Sequence, residues 1–416
     1  SPAVSSDGAM VYVGSNGGTV YAALKRYKWP GVAAVVVSVV HLIKGSYKGV
    51  KALERQPVKE ITAFLLPTGG HNDPESLAKN SCKSFKGSMV YGQGFTFDDS
   101  GAADTETPGI PSPVADMHRL LDSNTCNNAV IFPYIGGEEV NNSPSHSHHR
   151  FVINFGELDE NECRHKWPDL MNLVEAKVRP ERNQLKNNPD GIRLKNRWWI
   201  HGRTRQEMYE AISSCHQILA ACRHQPNWQI AFLKPGQVFS EALTVVAVQE
   251  YKWLAVLQSR IHEYWSRFVG SSMKDDMRYT HNDCFETFPF PPAFEGAEEG
   301  NPCVTTTLQA LESIGVRYHQ FRADLMVSNH EGLTSTYNRF HNPSETNPYL
   351  LELRRLHSEM DQAVIAAYGW SDMPTACGFG LDYLDTEDDA QLPDELQERI
   401  DTGELFFWDA DEAIHF

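Results

Sequence analysis

Apolar residues follow two different periods along this chain, and each period predicts a type of secondary structure. Alternating or continuous apolar runs predict strands at 33–43, 58–66, 130–134, 150–155, 229–233, 237–239 and 242–248. The run at 33–43 does not alternate, which predicts a strand buried on both faces. Between these runs, residues 98–115 are rich in Pro, Gly, Asp and Thr and are predicted to form a loop.

Helical spacing dominates the later part of the chain. Apolar residues three or four apart predict helices over 168–186, 204–222, 250–269, 305–327 and 347–368. The helix at 204–222 has the strongest signals, because Thr204 and Glu207 form a capping box ahead of an apolar stripe that ends at Cys222. A prediction of strands followed by helices corresponds to the α+β class.

Length and composition limit the alternatives. The chain has 416 residues and is 41% hydrophobic, which is enough for two or three domains with buried cores. It contains no run of eighteen apolar residues and no signal-peptide pattern, so we expect no membrane span. Its eight cysteines include no C-x-x-C pair, so we expect a reduced, cytoplasmic protein without a zinc knuckle.

The net charge of −17 is unevenly distributed. Residues 1–290 hold 31 basic and 30 acidic residues, whereas residues 291–416 hold 6 and 24. Within the first part, residues 164–205 contain 11 basic and 4 acidic residues, a basic island of net +7. Such an island in an acidic protein is expected either where a face meets a polyanion or where helices expose charged faces to water.

Four short motifs resemble catalytic or ligand sites. The G-x-G within 91–95 lacks the third glycine and the strand-to-helix context of a nucleotide loop. Asn347-Pro-Tyr349 has one proline where an adenine-gripping loop has two, and it begins a predicted helix. The histidines of 145–149 lack a nearby cysteine or carboxylate partner, so a metal site there is a minor alternative.

The fourth motif resembles a metal-dependent nuclease. Asp169, Glu175 and Lys177 have the order of a PD…ExK site, which requires carboxylates that converge on Mg²⁺. Both carboxylates fall on one predicted helix, six residues apart, so their side chains are expected to diverge. A nuclease remains an alternative function at this point.

Longer blocks give more specific resemblances. Residues 1–26, with the turn Ser15-Asn-Gly-Gly18 between two short alternating runs, resemble one repeat of a PQQ-type β-propeller. From residue 29 onward, ordered blocks include WPGVAAVVVS at 29–38, FPYIGGEEVN at 132–141, RFVINF at 150–155, RYTHNDCFETFPFP at 278–291 and LTSTYNRFH at 333–341. In this order they resemble the C-terminal half of MmeI-like adenine-specific DNA methyltransferases of the restriction–modification and phage-defence type.

The resemblance implies a domain order. Residues 27–84 would be the last strands of an incomplete methyltransferase domain, 85–292 a mixed target recognition domain, 303–372 a helical C-terminal region and 373–416 an acidic tail. The family's donor-binding and N-P-P-Y motifs would lie before residue 27, where this chain has the propeller-like hairpin. The resemblance therefore implies sequence-specific binding of double-stranded DNA.

The same resemblance implies S-adenosylmethionine for the full-length family but no cofactor, metal or catalytic residue in this chain. We expect no methylation by this chain alone unless a separate methyltransferase subunit supplies the missing domain. A non-catalytic truncated or fusion product is a further alternative.

Residues that bind DNA should supply positive charge for phosphates and a few groups for base edges. Asparagines and an arginine in and after the polar loop at 136–149 are predicted to contact bases, and the basic island and the 278–279 pair to contact the backbone. The predicted set is Asn141, Asn142, Arg150, Asn154, Arg179, Arg182, Lys186, Arg193, Lys195, Arg197, Trp198, Arg203, Arg205, Arg278 and Tyr279.

Overall fold

The computed structural model describes residues 18–28, 36–273, 276–295, 302–370 and 373. It divides into two compact units, with the main boundary between Glu75 and Ser76. The first strand of the predicted hairpin at 1–26 and, apart from Met373, the predicted tail at 373–416 lie outside the described residues. In the described ranges, no helix combines the length and the apolar composition needed to cross a membrane.

The first unit contains a four-stranded sheet. Its strands are β1 (Gly18–Lys28), β2 (Val36–Lys44), β3 (Lys51–Leu53) and β4 (Gln56–Val58), in the order β2-β1-β3-β4. β1 runs antiparallel to β2 and parallel to β3, and β3 and β4 form a hairpin. β1 continues through residues 26 and 27, so the sheet crosses the predicted boundary between a hairpin and a separate domain.

Two strand predictions in this unit need correction. The strand predicted as buried on both faces is β2, but it lies at an edge of the described sheet, and Leu42 and Ile43 are 54% and 41% exposed. The strand predicted at 58–66 is limited to the end of β4, because Leu65 has a positive φ and the backbone N–H of Thr62 binds the carbonyl of Leu66 in a turn. Local apolarity therefore predicted more burial than this unit provides.

The second unit mixes strands and helices. The strands that follow β4 along the chain are β5 (Ser84–Lys86), β6 (Thr96–Phe97), β7 (Ile131–Ile135), β8 (Arg150–Ile153), β9 (Ile218–Cys222), β10 (His224–Gln225), β11 (Ala231–Leu233), β12 (Val238–Phe239), β13 (Leu243–Val246), β14 (Ser271–Met273) and β15 (Asp276–Arg278). All of them except β14 belong to the second unit. The helices are α1 (Val114–Ser123), α2 (Gly137–Asn142), α3 (Glu160–Lys166), α4 (Pro168–Asn183), α5 (Pro189–Asn196), α6 (Gln206–Ile212), α7 (Tyr251–Gln258), α8 (Arg260–Val269), α9 (Pro302–Asn329), α10 (Leu333–Phe340) and α11 (Pro348–Tyr368). The predicted α+β class is confirmed, with the helical region at the C-terminal end.

Two small sheets organise the second unit. The antiparallel sheet β11-β9-β13-β5 contributes to one large core together with residues from α6 to α11. The sheet β12-β7-β8-β6 packs with α1, α3 and α4 in a second core. Because the large core includes residues of both the central strands and α9–α11, the C-terminal helices share one core with the sheet that they follow in sequence.

The helix predicted at 204–222 is wrong beyond Ile212. The residues from Ile218 to Cys222 form β9, which is buried along its whole length between β11 and β13. A short apolar run has the same local pattern in a buried strand as in a buried helix, and here the neighbouring strands decide. The predicted capping box is also absent, since Arg205, with φ of 59°, takes the N-cap position.

The remaining helix predictions at 168–186, 305–327 and 347–368 are confirmed as α4, α9 and α11. The helix predicted at 250–269 is two helices. Ser259 interrupts it, because its backbone is extended and its side chain caps α8 by accepting a hydrogen bond from the N–H of His262.

Arg322 joins several parts of the large core. It lies on α9, is 2% exposed, and donates to the Gln258 amide oxygen at 3.0 Å, the Tyr337 hydroxyl at 2.9 Å and the Ile230 carbonyl at 2.8 Å. Tyr337 in turn bonds to Tyr318 at 2.7 Å. One guanidinium therefore links α7, α9, α10 and the residue that precedes β11.

We predict that Arg322→Ala lowers the free energy of unfolding by about 3 kcal/mol or more, because it leaves a cavity and removes the donors from buried acceptors. Chemical denaturation of the full chain measures this loss. Arg317→Ala is the matched control, since Arg317 lies on the same helix but pairs with Glu359 at the surface. An Arg322→Ala protein as stable as the control would contradict this role.

Candidate nucleic-acid interface

Most cations of the basic island are neutralised within the fold. Arg164 pairs with Glu160 and Glu175, Lys166 with Glu162, Arg179 with Glu175, Arg193 and Arg203 with Asp190, and Arg197 with Glu157. These pairs are short-range and lie at or near the surface of α3–α5 and the segment that follows. The +7 net charge of the island therefore overstates the positive charge available for a polyanion.

Two members of the predicted set are in the interior. Arg182 is 1% exposed and donates to the carbonyls of Ile200 at 2.7 Å and Tyr91 at 3.1 Å, among others. Burial lowers its pKa to about 10. Trp198 is 3% exposed and packs under Arg164 and Arg179. Neither side chain is placed to reach DNA, so we remove both from the candidate contacts.

Tyr279 and Arg150 also have structural roles. Tyr279 is buried, stacks on Trp228 at 4.5 Å and bonds through its hydroxyl to His262 at 3.0 Å. Arg150 forms a two-pronged ion pair with buried Glu139, at 2.6 and 2.7 Å. Because the Nε and Nη2 atoms of Arg150 both donate to Glu139, this edge of the guanidinium is not free to read a base.

The three asparagines are held by local structure to different degrees. Asn154 accepts a hydrogen bond from the N–H of Gly156, which is turn chemistry. Asn141 is half-buried at the end of α2, and the backbone of Asn141 and Asn142 lies against Gly332, where an added Cβ would come within 2.3 Å of the Asn141 carbonyl. The side chain of Asn142 is exposed and remains a candidate.

Two lysines of the island remain candidate phosphate contacts. The side chain of Lys186 is exposed, and within the described part of the chain it has no hydrogen-bonding or ionic partner. Lys195 donates only to the neutral side chain of Asn187, at 2.7 Å, so its charge is not compensated there.

A cluster of three arginines stands out because none of them has an ionic partner in the described residues. Arg205 donates to the Gly87 carbonyl at 3.3 Å and Arg223 to the Glu241 carbonyl at 3.4 Å. Arg278 is exposed and has no described side-chain partner. We call Arg205, Arg223 and Arg278 the arginine cluster.

Three different elements bring this cluster together. Arg205 precedes α6, Arg223 connects β9 to β10, and Arg278 ends β15 opposite His224. Burial lowers the pKa of Arg223, and the charges of Arg278 and Arg205 lower it further, while Glu241 opposes them. Arg205 donates to the carbonyl of Gly87, which lies against Ser240, the residue before the Glu241 whose carbonyl accepts from Arg223. Like charges held together without counter-ions favour the binding of an anion.

The cluster adjoins a polar cleft of about 580 Å³. Lys86, Arg193, Arg203, Arg205 and His281 contribute its positive or titratable groups, and Glu157, Glu207 and Glu210 its acidic ones. Burial lowers the pKa of His281, with further lowering from Arg205 and Arg223 against the opposing effect of Glu286. Concave mixed surfaces of this kind suit nucleic-acid backbones and base edges together.

Sequence reasoning missed Arg223 and His281. The prediction of one helix through Cys222 placed Arg223 beyond its end, with no neighbour to suggest a role. Only the pairing of β10 with β15 brings Arg223 next to Arg278. The sequence signal that could have identified Arg223 is its position directly after the apolar run of β9, where a charged residue ends the buried strand.

The motifs that resemble catalytic sites are explained by packing. Glu175 is engaged by Arg164 and Arg179, and Lys177 is buried with its ammonium on the Asp104 carbonyl, so α4 does not assemble a nuclease site with Asp169. His146 bonds to the Val140 carbonyl at 2.9 Å, and burial lowers its pKa to about 4. In the described part of the chain, no group of three or more His, Cys, Asp and Glu side chains could hold a metal ion.

The two remaining motifs are structural as well. A Cβ on Gly94 would come within 2.7 Å of Lys177, so the G-x-G segment is in close contact with α4. Asn347 caps α11 by accepting a hydrogen bond from the N–H of Tyr349 at 2.9 Å.

A comparison with known protein families finds one match within this chain. Residues 114–292 match the family model of the MmeI target recognition domain. The resemblance to MmeI-like enzymes is confirmed over this segment. Its C-terminal limit, residue 292, is also the predicted end of the recognition domain. The arginine cluster lies within the matched residues.

The fold of the chain is similar to that of a solved structure. This is the type IIL restriction-modification enzyme MmeI in complex with DNA, with 18% sequence identity, a TM-score of 0.58 and coverage of 85% of this chain and 44% of that chain. The chain thus spans less than half the length of that enzyme. The type IIG restriction endonuclease BpuSI aligns with 10% identity and a TM-score of 0.28 over 71% of this chain and 32% of its own, too low to support an argument. No curated protein matched the sequence.

We predict that Arg150→Met destabilises the protein by about 3 kcal/mol near pH 7, because the buried Glu139 carboxylate loses its guanidinium partner and keeps only the Gly136 N–H and the longer contact with His149 at 3.5 Å. Burial opposes ionisation of Glu139, but hydrogen bonds from Arg150 and Gly136 outweigh it and hold the pKa below the ordinary 4.5. The stabilisation is therefore complete above about pH 4.5 and is lost as the pH falls through the lower folded pKa. Denaturation curves at several pH values measure it, and altered DNA sequence preference without loss of stability would instead indicate a base contact.

Proposed function

We propose that this chain is a sequence-specific DNA-binding part of a type IIL-like restriction–modification enzyme. The recognition-domain match at 114–292 supports this proposal, and the arginine cluster is the observation that carries it. The similar MmeI structure was solved in complex with DNA, which favours duplex DNA as the ligand.

The role proposed for each cation in DNA binding depends on whether its charge is compensated. Arg205, Arg223 and Arg278 supply uncompensated charge for phosphates, with Lys186 and Lys195 as additional contacts. Arginine also forms paired hydrogen bonds with guanine, so an exposed guanidinium at the cleft can serve in base reading. The ion-paired residues of α3–α5 hold the surface in shape and contribute little to affinity, since such pairs are already neutral.

Methylation itself is not assigned to the residues described. We propose that adenine methylation requires a catalytic domain outside this sequence, either in a longer chain or on a separate subunit that acts with this one in the cytoplasm. The G-x-G segment, which resembles a donor loop, packs closely against α4, and this packing supports a donor site elsewhere. No chemical step is therefore assigned to the residues described.

We predict that replacing Arg205, Arg223 and Arg278 by Gln flattens the salt dependence of duplex DNA binding. Each lost phosphate contact should reduce the log–log slope by about 0.9, so the triple variant should lose about 2.7. Fluorescence anisotropy with a labelled duplex, over a range of salt concentrations, measures the slope.

The control variant replaces Lys166, Arg267 and Arg355 by Gln, which removes the same charge from residues that are ion-paired on helices. We expect its slope to remain within experimental error of the wild type. Failure of the wild-type chain to bind any duplex at low salt would refute the proposed function.

A further inference from the structure

The described part of the first unit carries a concentration of positive charge that the net charge of the chain conceals. Residues 44–59 contain five cations and one acid, Glu54; the cations are Lys44, Lys48, Lys51, Arg55 and Lys59. Lys51 is half-buried and the other four are exposed. Among the described residues, none of the five has an ionic or hydrogen-bonding side-chain partner.

The sheet topology gathers the four lysines at one end. Lys44 ends β2 opposite Gly18, the first residue of β1, and Lys51 begins β3, which runs parallel to β1. Lys59 follows β4, whose Val58 pairs with Lys51, so it falls beside the start of β3. Neighbouring strands are about 4.8 Å apart, so in the order β2-β1-β3-β4 Lys44 and Lys59 are about three strand spacings apart at this end of the sheet, with Lys51 between them. We call Lys44, Lys48, Lys51 and Lys59 the lysine surface.

Aromatic packing holds the loop that carries Lys48. Tyr47 stacks on Tyr21 of β1 with ring centroids 4.8 Å apart, and a side chain at Gly49 would meet the Tyr47 ring at 2.5 Å. The loop is therefore attached to the sheet at Tyr47, while Lys48 and Val50 remain exposed. The lysine surface is built on a supported segment.

Nearby acids do not neutralise these cations. Glu54 accepts a hydrogen bond from the backbone N–H of Lys25, and Glu60 pairs with His71 at 3.2 Å. Glu54 and Arg55 form the turn between β3 and β4 with φ of 50° and 63°, a conformation that residues other than glycine seldom adopt. Arg55 is thereby presented at the tip of this hairpin.

We propose that the lysine surface is a second DNA contact, which binds phosphates of duplex DNA without reading its sequence. The inference rests on the proposed function, because duplex DNA is the polyanion that the proposed function supplies. Lysine is a compact, strongly hydrated point charge and lacks the planar fork that reads guanine, so these contacts add affinity and not specificity. The cations of α3–α5 differ from the lysine surface, because neighbouring carboxylates already balance their charge.

The test replaces Lys44, Lys48, Lys51 and Lys59 by Gln in the full chain. Duplex binding is measured over a salt series with one cognate and one unrelated sequence. We expect the log–log slope to fall by up to about 3.6, and affinity for both sequences to fall by the same factor. An unchanged slope would overturn the inference.

Two further variants keep the test decisive. Arg at the same four positions retains the charge and should retain the slope, which separates lost charge from lost folding. Gln at Lys166, Arg267, Arg317 and Arg355 removes equal charge from ion-paired sites and should leave the slope unchanged. If this control flattens the slope equally, overall charge is responsible and the lysine surface is not a contact.

Failure of this inference can be told apart from failure of the proposed function. A wild-type chain that binds no duplex at low salt refutes the proposed function. If the wild type binds, loses slope in the arginine-cluster variant and keeps it in the lysine variant, the recognition surface stands and the lysine surface is refuted.

Discussion

The burial of the Arg322 guanidinium constrains the whole second unit. A charged group without contact with water is tolerated only when several acceptors surround it, and here these acceptors come from separate elements. Gln258, Tyr337 and the carbonyl of Ile230 must all be in place for the guanidinium to be bonded. The C-terminal helices and the central sheet therefore share a core, and α9–α11 belong to the same unit as the arginine cluster.

The same principle separates the cations of this protein into three kinds. Arg150, Arg182 and Arg322 are consumed by internal acceptors and act as structural connections. Those of α3–α5 are balanced by nearby carboxylates. The described fold leaves the charge of a third group uncompensated. These cations are in the arginine cluster, on the lysine surface and at Lys186 and Lys195, and they determine what an anionic ligand would encounter.

Prediction from sequence succeeded where local pattern and environment agree. The amphipathic helices α4, α9 and α11 were found because their apolar stripes face a core on one side. It failed for β9, whose apolar residues are buried by two flanking strands, and for β2, whose apolar residues lie at a sheet edge. In both cases the deciding neighbours are distant in sequence, and a window of adjacent residues contains no information about them.

The candidate site divides in the same way. The ordered blocks determined the family resemblance and the segment that matches the target recognition domain, and the hydrophobic pattern determined the α+β class, because residue order and identity alone carry those signals. Which cations are available was decided only by tertiary structure. Arg182 and Arg278 look alike in a charge count, yet one is enclosed by backbone carbonyls and the other is exposed at the end of β15. The difference lies in long-range packing, which sets the solvation and the partners of each charge.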